Sequence, residues 1–458
     1  MSSDLSHSAE PVKKYHFIGI GGIGMSALAR ILLQRGKIVS GSDLAPSYVT
    51  DQLKAEGAII SFGHSENAVN DSPIVVYSTA VNDQNPEIKI AKENGWDLIH
   101  RSDLLFDLME GYAPLLVTGT HGKTTTSSLL AHVLSQSNLN PSFAIGGIVR
   151  SLGANGGNGK GPYFVAEADE SDGSFLKYRP FGAIITNIDN DHLDYWKTEE
   201  ALIEGYHHFA NRVTSNEHLI WCGDDEKLRS LNLKGVSYGF EEDNDICVAN
   251  YQQIGWKNVF DLTFKGKEYP GIEVSLIGGH NVLNAAAVFG LGMLLNVSED
   301  KLRSALASFQ GVNRRMEKKG EAREIAIYDD YAHHPAEIFA TLHAVKYAIS
   351  HRRLVVVFQP HRYTRTHDCF AEFGPAFEPS NLLIVTDIFA AGEEPIAGVT
   401  TEALIAKIGD SSSVHLCYLP RKALAENLIP LLQPQDVVVT MGAGDITKLG
   451  TELLEKLR

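Results

Sequence analysis

The run Gly119-Thr120-His121-Gly122-Lys123-Thr124-Thr125 has the residue types that hold a polyphosphate. At a glycine-bearing turn opening a helix, backbone N–H groups converge on an anion, the helix dipole adds partial positive charge, and Lys123 supplies a full one. Thr124 is placed to offer its hydroxyl to a magnesium ion bridging the phosphates. Val117 stands where the longer phosphate-loop pattern has its first glycine, so only the G-x-x-G-K-T-T core is present. Two acidic clusters follow. In Glu167-Ala168-Asp169-Glu170-Ser171-Asp172 four acids repel one another unless a cation compensates; Glu167 is the best candidate for magnesium, and a solvated acidic turn is the alternative. In Asp189-Asn190-Asp191-His192-Leu193-Asp194 the same logic brings His192 and its acids within range of a second cation, although magnesium prefers oxygen to imidazole.

A second nucleotide signature lies near the amino terminus. Gly19-Ile20-Gly21-Gly22-Ile23-Gly24 satisfies G-x-G-x-x-G, where glycine allows a tight turn and close backbone approach to a diphosphate. Asp43, nineteen residues beyond Gly24, is placed to meet ribose hydroxyls or to stand as a solvated strand-end acid. His64, Ser78 and Thr79 follow turns or strands and either line the same cleft or serve as ordinary connections. The glycines do not distinguish a dinucleotide cofactor from a nucleotide sugar. Further on, Asn281 and Asn284 lie three apart on one helix face, where an amide pairs with an adenine edge or caps the helix. Arg314-Arg315-Met316-Glu317 follows Gln310-Gly311-Val312-Asn313, which reads as a hinge. Asp330-Tyr331-Ala332-His333-His334-Pro335 and His361-Arg362-Tyr363-Thr364-Arg365 then gather histidine, arginine and tyrosine.

The elements that must position these groups are legible from hydrophobic patterning. Leu115-Leu116-Val117 is an apolar strand entering the loop, and Ser127 to Leu134 has helical spacing. Strands are expected at Lys13–Ile18, Lys37–Gly41, Tyr163–Ala166, Gly182–Ile188, Ile325–Tyr328 and Leu354–Phe358, with two more ending at Asp387 and at Gly442-Ala443-Gly444-Asp445. Each polar cluster thus falls at the carboxyl end of a presumed parallel strand, where open α/β sheets bind ligands. Pro335 suits the first turn of a helix.

Composition narrows the rest. At 458 residues the chain exceeds one economical core, and 44% apolar with 21% charged residues is ordinary globular composition. A net charge of −16 disfavours a nucleic-acid partner. Cys222, Cys247, Cys369 and Cys417 form no C-x-x-C pair and fit reduced thiols in a cytoplasm. The first dozen residues are polar, without the apolar core of an export signal. The uncharged run Ser275–Ser298 is interrupted by His280, Asn281 and Asn284 and reads as a buried helix, so no membrane partner is expected.

Along nearly its whole length the chain resembles the Mur ligase family. The motifs that carry the likeness are Gly19 to Ser26, Gly119 to Thr125, Glu167 to Asp172, His280-Asn281, Asn313 to Glu317, Asp330 to Pro335 and His361 to Arg365, in that order. The resemblance implies an α/β protein of three domains: a Rossmann-like UDP-sugar-binding domain over residues 1–111, a central phosphate-loop ATPase-like domain over 112–312, and a Rossmann-like amino-acid-binding domain over 313–458 that closes over ATP. It implies that ATP phosphorylates the lactyl carboxylate of UDP-N-acetylmuramate and that the amine of L-alanine displaces the phosphate, in cytoplasmic peptidoglycan precursor synthesis. By the same likeness Gly119, Thr120, His121, Gly122, Lys123, Thr124, Thr125, Asn281, Arg315 and Asp330 bind ATP. Gly21, Gly22, Ile23, Gly24, Asp43, His64, Ser78 and Thr79 bind the UDP-sugar. Tyr331, His333, His361, Arg362 and Arg365 form the amino-acid pocket, with Lys123, His192 and His333 in catalytic roles. Thr124, Glu167 and His192 hold two magnesium ions, for which manganese can substitute. Many relatives carry a carbamylated lysine beside the metals; the absence of lysine between Lys197 and Lys227 fits the alanine-adding branch. The expected partners are small molecules, and the chain a monomer or homodimer. The alternatives are a ligase of the same family that adds a whole tripeptide, an NAD-dependent oxidoreductase using the first third, and an ATP-driven switch using the middle.

Overall fold

A computed structural model describes residues 12–69, 71 and 73–458. The polar amino-terminal stretch, on which the expectation of no export signal rests, lies outside the described residues up to position 11, as does the side chain of Asp194. The chain forms two compact units. One comprises Met1–Ile148, Leu152–Ile220 and Lys227–Gly235; the other comprises Val149–Ser151, Trp221–Glu226 and Val236–Arg458.

The first unit contains two arrangements of strands. β1 (Lys14–Ile18), β2 (Ile38–Asp43), β3 (Ile59–Phe62), β4 (Ile74–Tyr77) and β5 (Leu98–His100) form a parallel sheet in the order β3-β2-β1-β4-β5. Phe17 and Ile18 are fully buried because helices cover the sheet, as parallel strands require. The helix Ile23–Gln34 buries Met25, Leu28, Ile31 and Leu32 at helical spacing. Register aligns the strand ends: Ile18 is opposite Ser42, Asp43 opposite Phe62, and Tyr77 opposite His100. The glycine turn, Asp43, Gly63 and Ser78 therefore emerge at one edge, beside the point where strand order reverses.

Next come β6 (Ala113–Thr118), β7 (Ser142–Val149), β8 (Ala154–Gly157), β9 (Tyr163–Glu167) and β10 (Gly182–Ile185), in the order β10-β6-β9-β7-β8. Thr118 lies opposite Ile185, and Val117 opposite Glu167, so both acidic clusters leave the sheet beside the phosphate loop. β10 ends at Ile185, shorter than the expected 182–188, because Thr186 and Asn187 turn aside to bond the loop. β11 (Leu219–Cys222) lies where the chain passes between units.

In the second unit β12 (Val236–Gly239), β13 (Ile246–Ile254), β14 (Lys257–Phe264) and β15 (Lys267–Val274) are neighbours in sequence order, the last three antiparallel. The apolar run becomes the helix Gly279–Leu294, with Val282, Ala285, Ala286, Val288 and Phe289 fully buried. No described helix is long and apolar enough to cross a membrane. β16 (Glu317–Ala322), β17 (Ile325–Asp330), β18 (Leu354–Phe358), β19 (Leu382–Val385), β20 (His415–Tyr418) and β21 (Val437–Met441) have the order β16-β17-β21-β18-β19-β20, parallel apart from edge strand β16. Asp330 and Phe358 both lie opposite Met441, and Phe358 also opposite Val385, so the segments after β17, β18, β19 and β21 leave at one edge. The expected hinge at 310–313 is tied down: Val312 bridges Val149, and Arg150 N–H donates to Gly311 O at 3.1 Å. None of the four cysteines forms a disulfide.

Candidate active site

The phosphate loop connects β6 to the helix Lys123–Gln136. Gly119 has φ +132°, and a Cβ there would overlap Thr186 Oγ1 and lie 3.0 Å from the backbone of Asn187. Gly122, the residue before the helix, is left-handed at φ +84°. Glycine is required at both positions, the first by close approach and the second by backbone hand. The loop is clasped from β10. Thr120 N–H donates to Asn187 O at 3.0 Å and His121 N–H to Asn187 Oδ1 at 2.9 Å; Thr186 Oγ1 donates to His121 O at 2.6 Å. His121 Nε2 lies 3.0 Å from Asp189 Oδ2, and Thr125 is half-buried in the first helical turn.

Lys123 Nζ donates to Gly119 O at 2.6 Å, Thr120 O at 3.1 Å and Glu170 Oε1 at 2.9 Å. Burial opposes its charge, but Glu170 and Asp169 outweigh burial and hold the ammonium above the usual lysine range. Burial also pushes Glu170 up, whereas Asp169 is held down to about 2 because Lys123 and Arg101 outweigh its burial. The crowded acids are thus compensated in part by the chain's own cations, with Arg101 Nη2 2.8 Å from Asp169 Oδ2. Glu167 accepts from Thr124 Oγ1 at 3.2 Å, Ser127 Oγ at 3.2 Å and Gly146 N at 2.6 Å. His192, left-handed at φ 59°, puts Nε2 3.8 Å from Glu170 Oε1 and 3.7 Å from Asp191 Oδ2.

These residues suit magnesium by donor chemistry. Thr124 and Glu167 are hard oxygen donors already in contact, and Glu170 Oε2 is buried with no hydrogen-bond partner among the described residues. His192 is the softer member of the set.

At the glycine-rich turn of the first sheet, Gly21 N–H donates to Asp43 Oδ2 and Leu44 N–H to Asp43 Oδ1, both at 2.8 Å. Asp43, expected either at ribose hydroxyls or in solvent, here holds the turn that precedes the helix. Gly22 is the N-cap of that helix, Ile23 its first residue, and Gly24 lies next to Arg101. His64 follows Gly63 beside Ser42, and Ser78 opens a turn after β4 that includes exposed Thr79.

The second unit gathers the remaining expected residues. Gly278, rather than Asn281, is the N-cap of the helix Gly279–Leu294. Asn281 lies inside it, donating from Nδ2 to Ile277 O at 2.8 Å and accepting from Asn284 Nδ2 at 3.1 Å. Asp330 is buried and accepts backbone N–H groups of Met316 at 2.7 Å and Ala332 at 2.8 Å; burial pushes its carboxyl up to about 6. The Tyr331 ring lies against the guanidinium groups of Arg314 and Arg315 and edge-on to His333. His333 Nδ1 donates to Tyr331 O at 2.9 Å, and burial holds the ring down to about 4, so it is neutral with an Nε2 lone pair. His361 stacks on Phe389 and is held down to about 3 by burial with His333 and Arg365 nearby. Arg365 reaches His361 at 3.4 Å, and the exposed Arg362 side chain lies 3.9 Å from Glu393.

Nothing local in the sequence marks Thr186, Asn187, Gly146 or Arg101 as members of these groups. Ser127 was detectable, since it lies one helical turn after Thr124 on the same face.

A glycine-built phosphate cradle with oxygen donors, and a second glycine turn on a parallel sheet in the same unit, define a nucleotide-handling α/β protein. Residues 14–113 match the model of the Mur ligase family catalytic domain, 117–292 that of the Mur ligase middle domain, and 314–444 that of the Mur ligase glutamate ligase domain. The chain is 49% identical over 444 residues to the UDP-N-acetylmuramate–L-alanine ligase of Protochlamydia amoebophila, covering 97% of this chain and 98% of that one. It is 45% identical to the enzyme of that name from an Anaeromyxobacter species, over 96% and 97% of the two chains. The crystal structure of UDP-N-acetylmuramate-alanine ligase MurC from Thermotoga maritima superposes with a TM-score of 0.84 at 29% identity, over 97% of this chain and 98% of that one. The chain belongs to the Mur ligase family, with its three-domain α/β architecture of Rossmann-like outer domains flanking a central one.

Proposed function

We propose that the chain is an ATP-dependent ligase joining L-alanine to the lactyl carboxylate of UDP-N-acetylmuramate, in cytoplasmic peptidoglycan precursor synthesis. The names of the relatives above support the substrates. The observation that carries the reading is the cradle of Lys123, Thr124 and Glu167 in the same compact unit as the Gly19–Gly24 turn, which supports two polyphosphate sites in one unit. Its domains would span residues 1–111, 112–312 and 313–458.

A carboxylate is a poor electrophile until one oxygen becomes a good leaving group. Transfer of the γ-phosphoryl gives an acyl phosphate and ADP; attack by the amine then gives the amide, phosphate and a proton. Lys123 gives up its contacts to Gly119 O and Thr120 O to neutralise the migrating phosphoryl. Thr124, Glu167 and His192 would hold magnesium, two ions in all and replaceable by manganese, which supplies further positive charge at the phosphates. Asn281 would meet adenine, while Arg315 and Asp330 would meet the ATP ribose and phosphates. Gly21 to Gly24, Asp43, His64, Ser78 and Thr79 would hold the UDP-sugar. Arg362 or Arg365 would pair with the alanine carboxylate in a bidentate way beside Tyr331, His333 and His361. His333 offers Nε2 to the amine's proton. The protein would act as a monomer or homodimer.

The test is phosphate release from ATP with UDP-N-acetylmuramate and a panel of amino acids and short peptides. Release that requires both the UDP-sugar and L-alanine supports the reading. Release with tripeptide alone as acceptor, or independent of the UDP-sugar, overturns it.

A further inference from the structure

Behind the glycine-rich turn of the first sheet lies a buried charge that the proposed chemistry does not use. Glu87 is in the first turn of the helix Pro86–Glu93, and its side chain is wholly buried. Its Oε2 accepts from His16 Nε2 and Ser42 Oγ, and its Oε1 from His64 Nδ1, each at 2.8 Å. Burial alone would push this carboxyl up; the hydrogen bonds from His16, Ser42 and His64 outweigh it and hold the group below the usual range. Glu87 is therefore a carboxylate, which can only accept. Each imidazole nitrogen facing it must carry the hydrogen.

That constraint assigns both rings. His16 carries a hydrogen on Nε2, and its Nδ1 lies 2.9 Å from Ser40 Oγ. His64 carries one on Nδ1, shared with Ser42 Oγ at 3.0 Å, and Nε2 is left over. The His16 and Glu87 side chains are fully buried and Ser42 is buried, whereas the His64 side chain is 22% exposed. The network thus reaches the surface through His64. It reaches it at the nucleotide turn, because Ser42 O accepts from Gly19 N and Ile20 N, both at 2.9 Å, while the Ser42 hydroxyl touches the His64 ring. A buried carboxylate is costly even when paired, and apolar packing at 87 would serve a purely structural purpose as well. Its place against the part-exposed His64 points to a role in that histidine's orientation.

We propose that Glu87 is a positioning residue for the nucleotide-sugar site, fixing the tautomer and ring plane of His64 so that Nε2 faces the nucleoside. The inference rests on the proposed UDP-sugar site. In the tautomer with its hydrogen on Nδ1, Nε2 accepts, so its partner is an O–H or N–H donor, either a ribose hydroxyl or the uracil N–H.

The test is a double-mutant cycle on the full chain, with calorimetric Kd for UDP-N-acetylmuramate. Glu87→Gln keeps shape and loses the acceptor-only charge; it raises Kd by about tenfold, as does His64→Phe, and the double variant binds like His64→Phe alone. In Glu87→Gln, kcat at saturation and KM for ATP and L-alanine stay within about twofold of the parent. Parental Kd in Glu87→Gln, or losses that multiply in the double variant, would overturn the proposal. If the parent chain does not bind the UDP-sugar, the functional reading fails and this inference falls with it; if the parent binds and the cycle is additive, the inference alone fails. N3-methyl and 2′,3′-dideoxy UDP separate the two donors, because the form lacking the relevant group loses affinity for the parent and not for His64→Phe. Should Glu87→Gln not fold, nitrogen NMR of the parent decides: a hydrogen on His64 Nδ1 alone supports the proposal, and a hydrogen on Nε2, with or without one on Nδ1, overturns it.

Discussion

Gly119→Ala is the substitution whose cost is most directly readable. The residue has φ +132°, a conformation essentially reserved for glycine, and the new methyl would overlap Thr186 Oγ1. Backbone strain of that kind costs about 1–3 kcal/mol. Thr186 must also rotate away, withdrawing its one hydroxyl hydrogen from His121 O at 2.6 Å and Thr118 O at 3.3 Å, a shared hydrogen bond worth about 1 kcal/mol. The backbone of Asn187, 3.0 Å from the added carbon, can yield by only a few tenths of an ångström before its own bonds to the loop break. The expected destabilisation is about 2–4 kcal/mol, falling on the unit that holds the loop. Urea unfolding followed by a probe in that unit measures it, alongside ATP affinity by calorimetry, which should fall by at least about a hundredfold as the cradle distorts. Thr186→Ala removes the overlapping atom at the price of the same shared hydrogen bond, so the double variant should be no less stable than Gly119→Ala. A Gly119→Ala protein within about 0.5 kcal/mol of the parent would refute the close-approach reasoning.

Lys123→Ala should abolish ligation while leaving UDP-N-acetylmuramate affinity near parental, since Lys123 contacts the phosphate loop and Glu170 and not the first glycine turn; near-normal turnover would remove the loop from the mechanism. Gly21→Val should weaken UDP-sugar binding by at least about tenfold, because a Cβ there lies 2.8 Å from both Asp43 Oδ2 and Thr50 Cγ2 and displaces the turn; calorimetry returning an unchanged Kd would put the sugar elsewhere. For pH, burial holds His333 down to about 4 and His361 down to about 3, against about 6.5 when unfolded, so their contribution is full above pH 6.5 and drains as pH falls toward those values. Asp330, pushed up to about 6 by burial, acts oppositely, its contribution being full below about pH 4 and lost as pH rises through about 6. Two histidines outweigh one acid, so the thermal midpoint should drop between pH 7 and 5, and less so in His333→Gln; equal drops in the two proteins would contradict the assignment.

Much of the scaffold was legible because it is local. An apolar run followed by glycine and then helical spacing specifies strand, turn and helix without reference to the rest of the chain, and β1, β6 and their following helices obey it. Pro335 opens its helix because its fixed φ suits that position. Asn281 shows where local reasoning stopped: its type allows a cap, but Gly278 begins the helix three residues earlier and leaves Asn281 inside it. Gly182 to Ile188 reads as one apolar strand, yet it ends at Ile185 because the phosphate loop claims Thr186 and Asn187.

The sequence by itself determined which glycine turns open helices and which strand ends carry acids, histidines and arginines, since those depend on neighbours a few residues apart. Only the tertiary structure decided which distant group answers which: Glu170 for Lys123, Asp43 for the Gly21 amide, Arg101 for Asp169, and Glu87 for His64. Those pairings follow from strand order and register, which bring residues 22 to 68 positions apart within hydrogen-bonding distance. No short window of sequence contains that information, because a carboxylate's partner is set by which strand lies beside its own.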